Sequence, residues 1–358
     1  MNKFDAKERN GAARSADFSP LPRLKTVDHL KCSAIAGPQK FKRRERRAPG
    51  ANIRHDHCPL LDFASPDFGF TLRATDMHSP SPAHRVTAEV APSTRLLHLG
   101  VQTISALAVV SFLLVLWPLI TQSPLPGKPG WPIALLVLTT AMATLASLSR
   151  LFPGQNVLLA TVIIGLLGGL AHGVGAMTAF PFGPFVYSET AGPKFFTTLA
   201  WPLPVIWIIA ILNSRGVAKL ILRPWRKLRN YGFWLIGVTA TLVMLFDLAL
   251  EPFAAHVNHF WLWLPTKFPF TWYGAPLVNF LGWLLTALLI LAFTTPALTK
   301  KSARSKKNSV DYHPLVVWLL ALTLFATSAF RNQLWPAAAL CVLTGIVAAI
   351  FAVRGARW

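Results

Sequence analysis

Residues 231–253 read YGFWLIGVTATLVMLFDLALEPF. From Tyr231 to Phe246 this stretch carries no charge, and the whole is long enough to cross a hydrocarbon core of about 30 Å as a helix. Two acids, Asp247 and Glu251, then follow before Pro252. Working outward, comparable apolar runs occur at 97–120, 131–151, 157–177 and 196–212 before it, and at 276–294, 314–330 and 334–353 after it. The last two are separated by the short Arg331-Asn332-Gln333 turn and should form an antiparallel hairpin. The expected fold is therefore an all-α integral membrane protein of about eight transmembrane helices.

The composition agrees. Of the 358 residues 53% are hydrophobic and 14% charged, whereas a soluble domain carries charge on about a quarter of its residues. The net charge of +21 is unevenly spread, which reads as membrane topology rather than a nucleic-acid surface. Arg215, Lys219, Arg223, Arg226, Lys227 and Arg229 follow the fourth run, and Lys300, Lys301, Arg304, Lys306 and Lys307 follow the sixth. Arg150 follows the second, and Arg354 and Arg357 close the chain; the alternate connections hold only Lys128, Lys194, Lys267 and Arg331. By the positive-inside rule both termini face the cytoplasm, and the expected location is the cell inner membrane. Segment 213–230 interleaves Leu220, Ile221, Leu222 and Trp225 with its basic residues and is expected to lie along the anionic inner leaflet.

Residues 1–95 mix basic clusters with Ser, Pro and Asp and show no periodicity, the composition of a disordered extension ahead of a membrane domain at 96–358. Met77 is a candidate true start. Cys32, Cys58 and Cys341 are too widely spaced for a disulfide framework or a zinc pattern.

The candidate chemistry gathers in the two connections expected to face outward, 171–195 and 245–279. They hold Glu189, Asp247, Glu251, His172, His256 and His259. They also hold a dense aromatic set that includes Phe180, Phe182, Phe185, Tyr187, Trp261, Trp263, Trp272 and Tyr273. Asp247 and Glu251, four residues apart, share one helix face. Asp247 lies about 24 Å along the helix from Tyr231, still at membrane depth, where a charged group normally faces a cavity or a partner. Pro252 should kink or end the helix and leave Glu251 beside freed carbonyls. FPFGPF at 180–185 is broken by Pro and Gly, which at membrane depth suits either a cavity wall or an interfacial aromatic belt. Glycines around His172 permit close helix approach, so His172 reads equally as a buried hydrogen-bonding residue or a catalytic one. Glu251, His256 and His259 invite a metal, but the few histidines of the membrane part fall short of the His boxes of membrane di-iron enzymes, so none is expected.

At these residues the chain resembles the membrane-bound carotenoid biosynthesis protein family, whose characterised members are carotenoid 1',2'-hydratases, including bisanhydrobacterioruberin hydratases. The resemblance is carried by PFGPFVYS (181–188), GPK (192–194), Ala200-Trp201, the D-x-x-L-E-P element (247–252) and YGAPLVNFLGW (273–283), within a core of about 165–298. It implies addition of water to the terminal double bond of an acyclic carotenoid. That reaction needs a proton donor, a site tolerant of a tertiary cation, and water, but no redox cofactor; the chain has no Gly-rich dinucleotide or phosphate loop. Low-dielectric surroundings favour a neutral carboxyl, so Asp247 or Glu251 is the expected proton donor. The second carboxyl, His172 or His256 would orient water, and Glu189 is a further candidate. Phe180, Phe182, Phe185, Tyr187, Trp261, Trp263, Trp272, Tyr273 and Asn279 are the expected substrate-binding residues, their ring faces stabilising the cation. Partners are then the carotenoid, water and the lipid bilayer, with no nucleic acid. A non-enzymatic isoprenoid carrier or a subunit of a membrane complex remains the alternative.

Overall fold

The computed structural model of the protein describes residues 92–127, 130–266, 270–299 and 310–358. The expectations for the rest of the N-terminal extension, Met77 and the Lys300–Lys307 cluster included, lie outside the described residues.

The described chain is built on eight helices: α1 (Pro92–Thr121), α2 (Trp131–Ser149), α3 (Gly154–Thr178), α4 (Pro202–Ile221), α5 (Tyr231–Glu251), α6 (Leu277–Thr294), α7 (His313–Arg331) and α8 (Trp335–Ala356). All eight are long and apolar enough to cross a membrane, as expected. Many of their large apolar side chains point outward, among them Leu113 of α1, Leu166 of α3 and Ile346 of α8. Such a surface is stable against lipid tails and costly in water. The chain is a multi-pass membrane protein.

The most enclosed helix is α4, which packs against α2, α3, α5, α7 and α8. It is longer than the apolar run at 196–212 suggested. It starts later, at Pro202, because 194–200 form a hairpin instead, and it continues to Ile221. The extension is buried despite its polarity. Asn213 donates to the Thr144 hydroxyl (3.0 Å) and Arg215 to the Leu298 carbonyl (3.3 Å), and Ser214 is enclosed. Only the part of 213–230 beyond Ile221 remains for an interfacial segment. α7 and α8 form the expected antiparallel hairpin.

Among the described residues six short strands lie in the connections: β1 (Phe185–Tyr187), β2 (Lys194–Phe195), β3 (Leu199–Ala200), β4 (Trp261–Trp263), β5 (Thr271–Trp272) and β6 (Ala275–Pro276). β2 pairs with β3 and β5 with β6 as local hairpins. The third pair, β1 with β4, joins the α3–α4 connection to the α5–α6 connection and closes one end of the bundle.

Candidate active site

The cap over the site follows from the two-residue period of a strand. Phe185 pairs with Trp263, Val186 with Leu262 and Tyr187 with Trp261. Alternate side chains point to opposite faces, so Val186 and Leu262 are exposed while Phe185, Tyr187, Trp261 and Trp263 all line one chamber beneath. Ser188 locks the pairing: its backbone N–H donates to Phe260 O (3.1 Å) and its hydroxyl to His259 O.

The floor comes from the end of α5. Asp247 and Glu251, one turn apart, are both buried. The α-helical winding of α5 ends at Glu251, as Pro252 suggested, and the chain continues in a wider π turn from Pro252 to Val257. A π turn displaces the carbonyl that would clash with the proline ring. The carbonyl deprived of its partner, on Leu248, is instead hydrogen-bonded by the Trp272 indole N–H at 3.0 Å. Trp272 thus serves the helix backbone rather than the chamber.

Glu251 accepts two indole hydrogen bonds on its Oε1, from Trp261 Nε1 at 2.9 Å and from Trp263 Nε1. Asp247 accepts one from the Asn279 side-chain amide at 2.8 Å, and its other oxygen is buried without a partner. All the groups that hydrogen-bond these carboxyls are neutral. Asn279, in the first turn of α6, and Glu251 both line the chamber, while Asp247 stands behind Asn279.

The opposite wall is His172 of α3. Its ring stacks on Phe182 (4.2 Å between centroids) and meets the edge of Trp283 (5.4 Å), and its Nδ1 lies 3.3 Å from the Tyr187 hydroxyl. Burial pushes the Tyr187 hydroxyl well above its ordinary range, so it keeps its proton at neutral pH. Trp283 in turn stacks on Trp207 (4.1 Å). α4 can bring Trp207 there only because Gly168 faces it: a Cβ at that position would sit 2.4 Å from the indole. Phe182 is seated the same way between Gly175 and Gly282. With Leu203 completing the wall, the chamber has a volume of about 10 Å³, roughly the space of one water molecule.

Of the residues expected from sequence, the structure therefore brings Glu251, His172, Phe185, Tyr187, Trp261, Trp263 and Asn279 around one chamber, with Asp247 and Phe182 directly behind. The others lie outside it. His256 is exposed on the π turn, 5.6 Å from the ring of Tyr273, which packs edge-on to Trp272. Glu189 is exposed and paired with Lys194 (2.8 Å), whose hydrogen bond and charge hold its carboxyl below the ordinary range. Phe180 points outward. Trp207, Trp283 and Leu203 escaped the sequence reading. The available signals were the Asn279-to-Trp283 spacing of one helical turn and a glycine-rich α3 that invites a bulky neighbour. Among the described residues no group of three His, Cys, Asp or Glu side chains converges as a metal ion would require.

Fold and site together define a polytopic membrane protein with paired intramembrane carboxyls beneath an aromatic cap. Residues 130–348, more than half of the chain, match the model of the carotenoid biosynthesis protein family, and the chain belongs to that family. The match extends beyond the motif-bearing stretch at both ends. The chain is also similar to a bisanhydrobacterioruberin hydratase of Haloarcula japonica, with 33% identity over 121 residues, which cover 34% of this chain and 39% of that protein. No solved structure matches the chain.

Proposed function

We propose that the protein hydrates the terminal isopropylidene double bond of an acyclic carotenoid, with Glu251 as proton donor. The observation that carries this reading is the carboxyl of Glu251 lining a water-sized aromatic chamber, its Oε1 held by two indole donors. The step requires Glu251 to enter as the acid, with the proton on the oxygen the indoles leave free. Proton transfer to the CH carbon of the alkene leaves a tertiary cation on the dimethyl-substituted carbon and a carboxylate at Glu251. The indole N–H groups favour that carboxylate, while the ring faces of Trp283 and Phe185 favour the cation. Water then adds to the cation, and the proton released returns to Glu251 directly or through His172, restoring the acid. Atoms balance and no electrons are exchanged, so no redox cofactor is needed. Asp247 acts one layer back as a positioning residue, orienting Asn279 toward the bound water. The end group is larger than the chamber, so Trp261 or Trp263 must swing as it enters.

The relative named a hydratase supports the same chemistry, although it shares only part of its length with this chain. The test is expression in bacteria that make lycopene, with pigments separated and weighed. A product heavier by one water is expected. If neither lycopene nor a longer acyclic carotene gains water, the carrier reading replaces this one.

A further inference from the structure

The bundle contains a second, larger cavity that shares one wall with the carboxyl chamber. It has a volume of about 190 Å³ and lies among α1, α2, α4, α5 and α7. Along α7 its lining runs from His313 to Phe325, about 18 Å of helix, and at the capped end it reaches Trp261. Apart from Ser105, Thr140 and His313 its lining is aliphatic or aromatic, and the space exists because small residues such as Ala108 and Ala321 face it. Trp261 is the shared wall: it borders this cavity, borders the chamber, and donates its indole N–H to Glu251.

We propose that this cavity is the berth of the polyene chain of an acyclic carotenoid, and that Trp261 is the partition past which the reacting end reaches Glu251. The occupant's identity rests on the hydratase reading. The cavity suits an apolar, narrow ligand lying along the helix axes with one end at Trp261. A conjugated polyene is already straight and loses less conformational freedom on confinement than a saturated acyl chain of a phospholipid.

The test uses the full-length protein purified from lycopene-producing bacteria, with retained pigment measured by absorbance and phospholipid by mass spectrometry. Ala108→Phe and Ala321→Phe fill the berth at positions that do not line the carboxyl chamber, and each should reduce retained pigment about tenfold. Leu113→Phe, on the lipid-facing side of α1, should retain pigment at the wild-type level. Should the bulky variants fail to fold, the thiol introduced by Ala108→Cys provides a milder probe, and lycopene loading should slow its alkylation several-fold. Normal pigment in folded berth variants, alkylation indifferent to pigment, or loss of phospholipid with pigment intact would each overturn the proposal. Pigment that is held in the berth but never hydrated sustains the berth and removes the hydratase reading instead.

Discussion

Glu251 and Asp247 look alike in the chain but stand in different relations to the chamber, and amide substitution should separate them. Glu251→Gln removes the proposed proton donor and should lower hydration roughly 100- to 10,000-fold, measured as product formed per purified protein. Asp247→Asn keeps the shape behind Asn279, so a smaller loss of about tenfold is expected, with pigment retention unchanged. Equal losses in the two variants would contradict the layering of roles. Trp263→Phe keeps the ring but deletes one donor to Glu251; a hydrogen bond to a charged acceptor is worth about 1.5–3 kcal/mol, so a loss of about 10- to 100-fold is expected. Glu189 provides the contrast. Its side chain is exposed, though its partner Lys194 is half-buried, and ion pairs at the surface contribute little, so Glu189→Gln should stay within about threefold of wild type.

The π turn and the close approach of α3 to α4 govern whether those residues meet. Pro252 leaves the Leu248 carbonyl without a backbone donor, and Trp272 fills the role. Trp272→Phe leaves a partly buried acceptor unsatisfied and should cost about 1 kcal/mol, read as a lower melting temperature in detergent. Gly168→Ala places a methyl 2.4 Å from the Trp207 ring, and such overpacking typically costs about 1–3 kcal/mol. Because Trp207 backs Trp283 and Trp283 borders the chamber, activity should fall in Gly168→Ala before the protein unfolds. A variant with wild-type melting and turnover would show that the α3–α4 contact is not what positions the wall.

For the membrane domain as a whole, the eight described spans put the start of α1 and the end of α8 on the same side, opposite the cap. The alternation of basic connections predicts that this shared side is cytoplasmic. A reporter active only in the cytoplasm, fused after Trp358, should be active, and one active only outside the membrane should be silent. The reverse pattern would move the cap and the chamber to the cytoplasmic face. Mass spectrometry of the native N-terminus tests Met77 as the start; a peptide from before it would set that idea aside.

The eight spans could be read from the chain because burial in lipid is a demand on each segment separately: every run must be apolar over its own length, whatever its neighbours do. The common face of Asp247 and Glu251 was legible for a related reason, since helical spacing is local. The chamber was not. Trp261 and Trp263 reach Glu251 only because β4 pairs with β1, a partner some seventy residues away, in a register that turns Val186 and Leu262 outward. Trp207 reaches His172 and Trp283 only because α3 approaches α4 closely at Gly168, and Phe182 stacks on His172 only because Gly175 and Gly282 leave it room. Aromatic residues are plentiful in both connections, and nothing in their spacing separates Trp263, in the chamber, from Trp272, on the helix backbone. That choice is made by strand register and helix contact, which depend on residues distant in the chain and come into being only when the bundle closes.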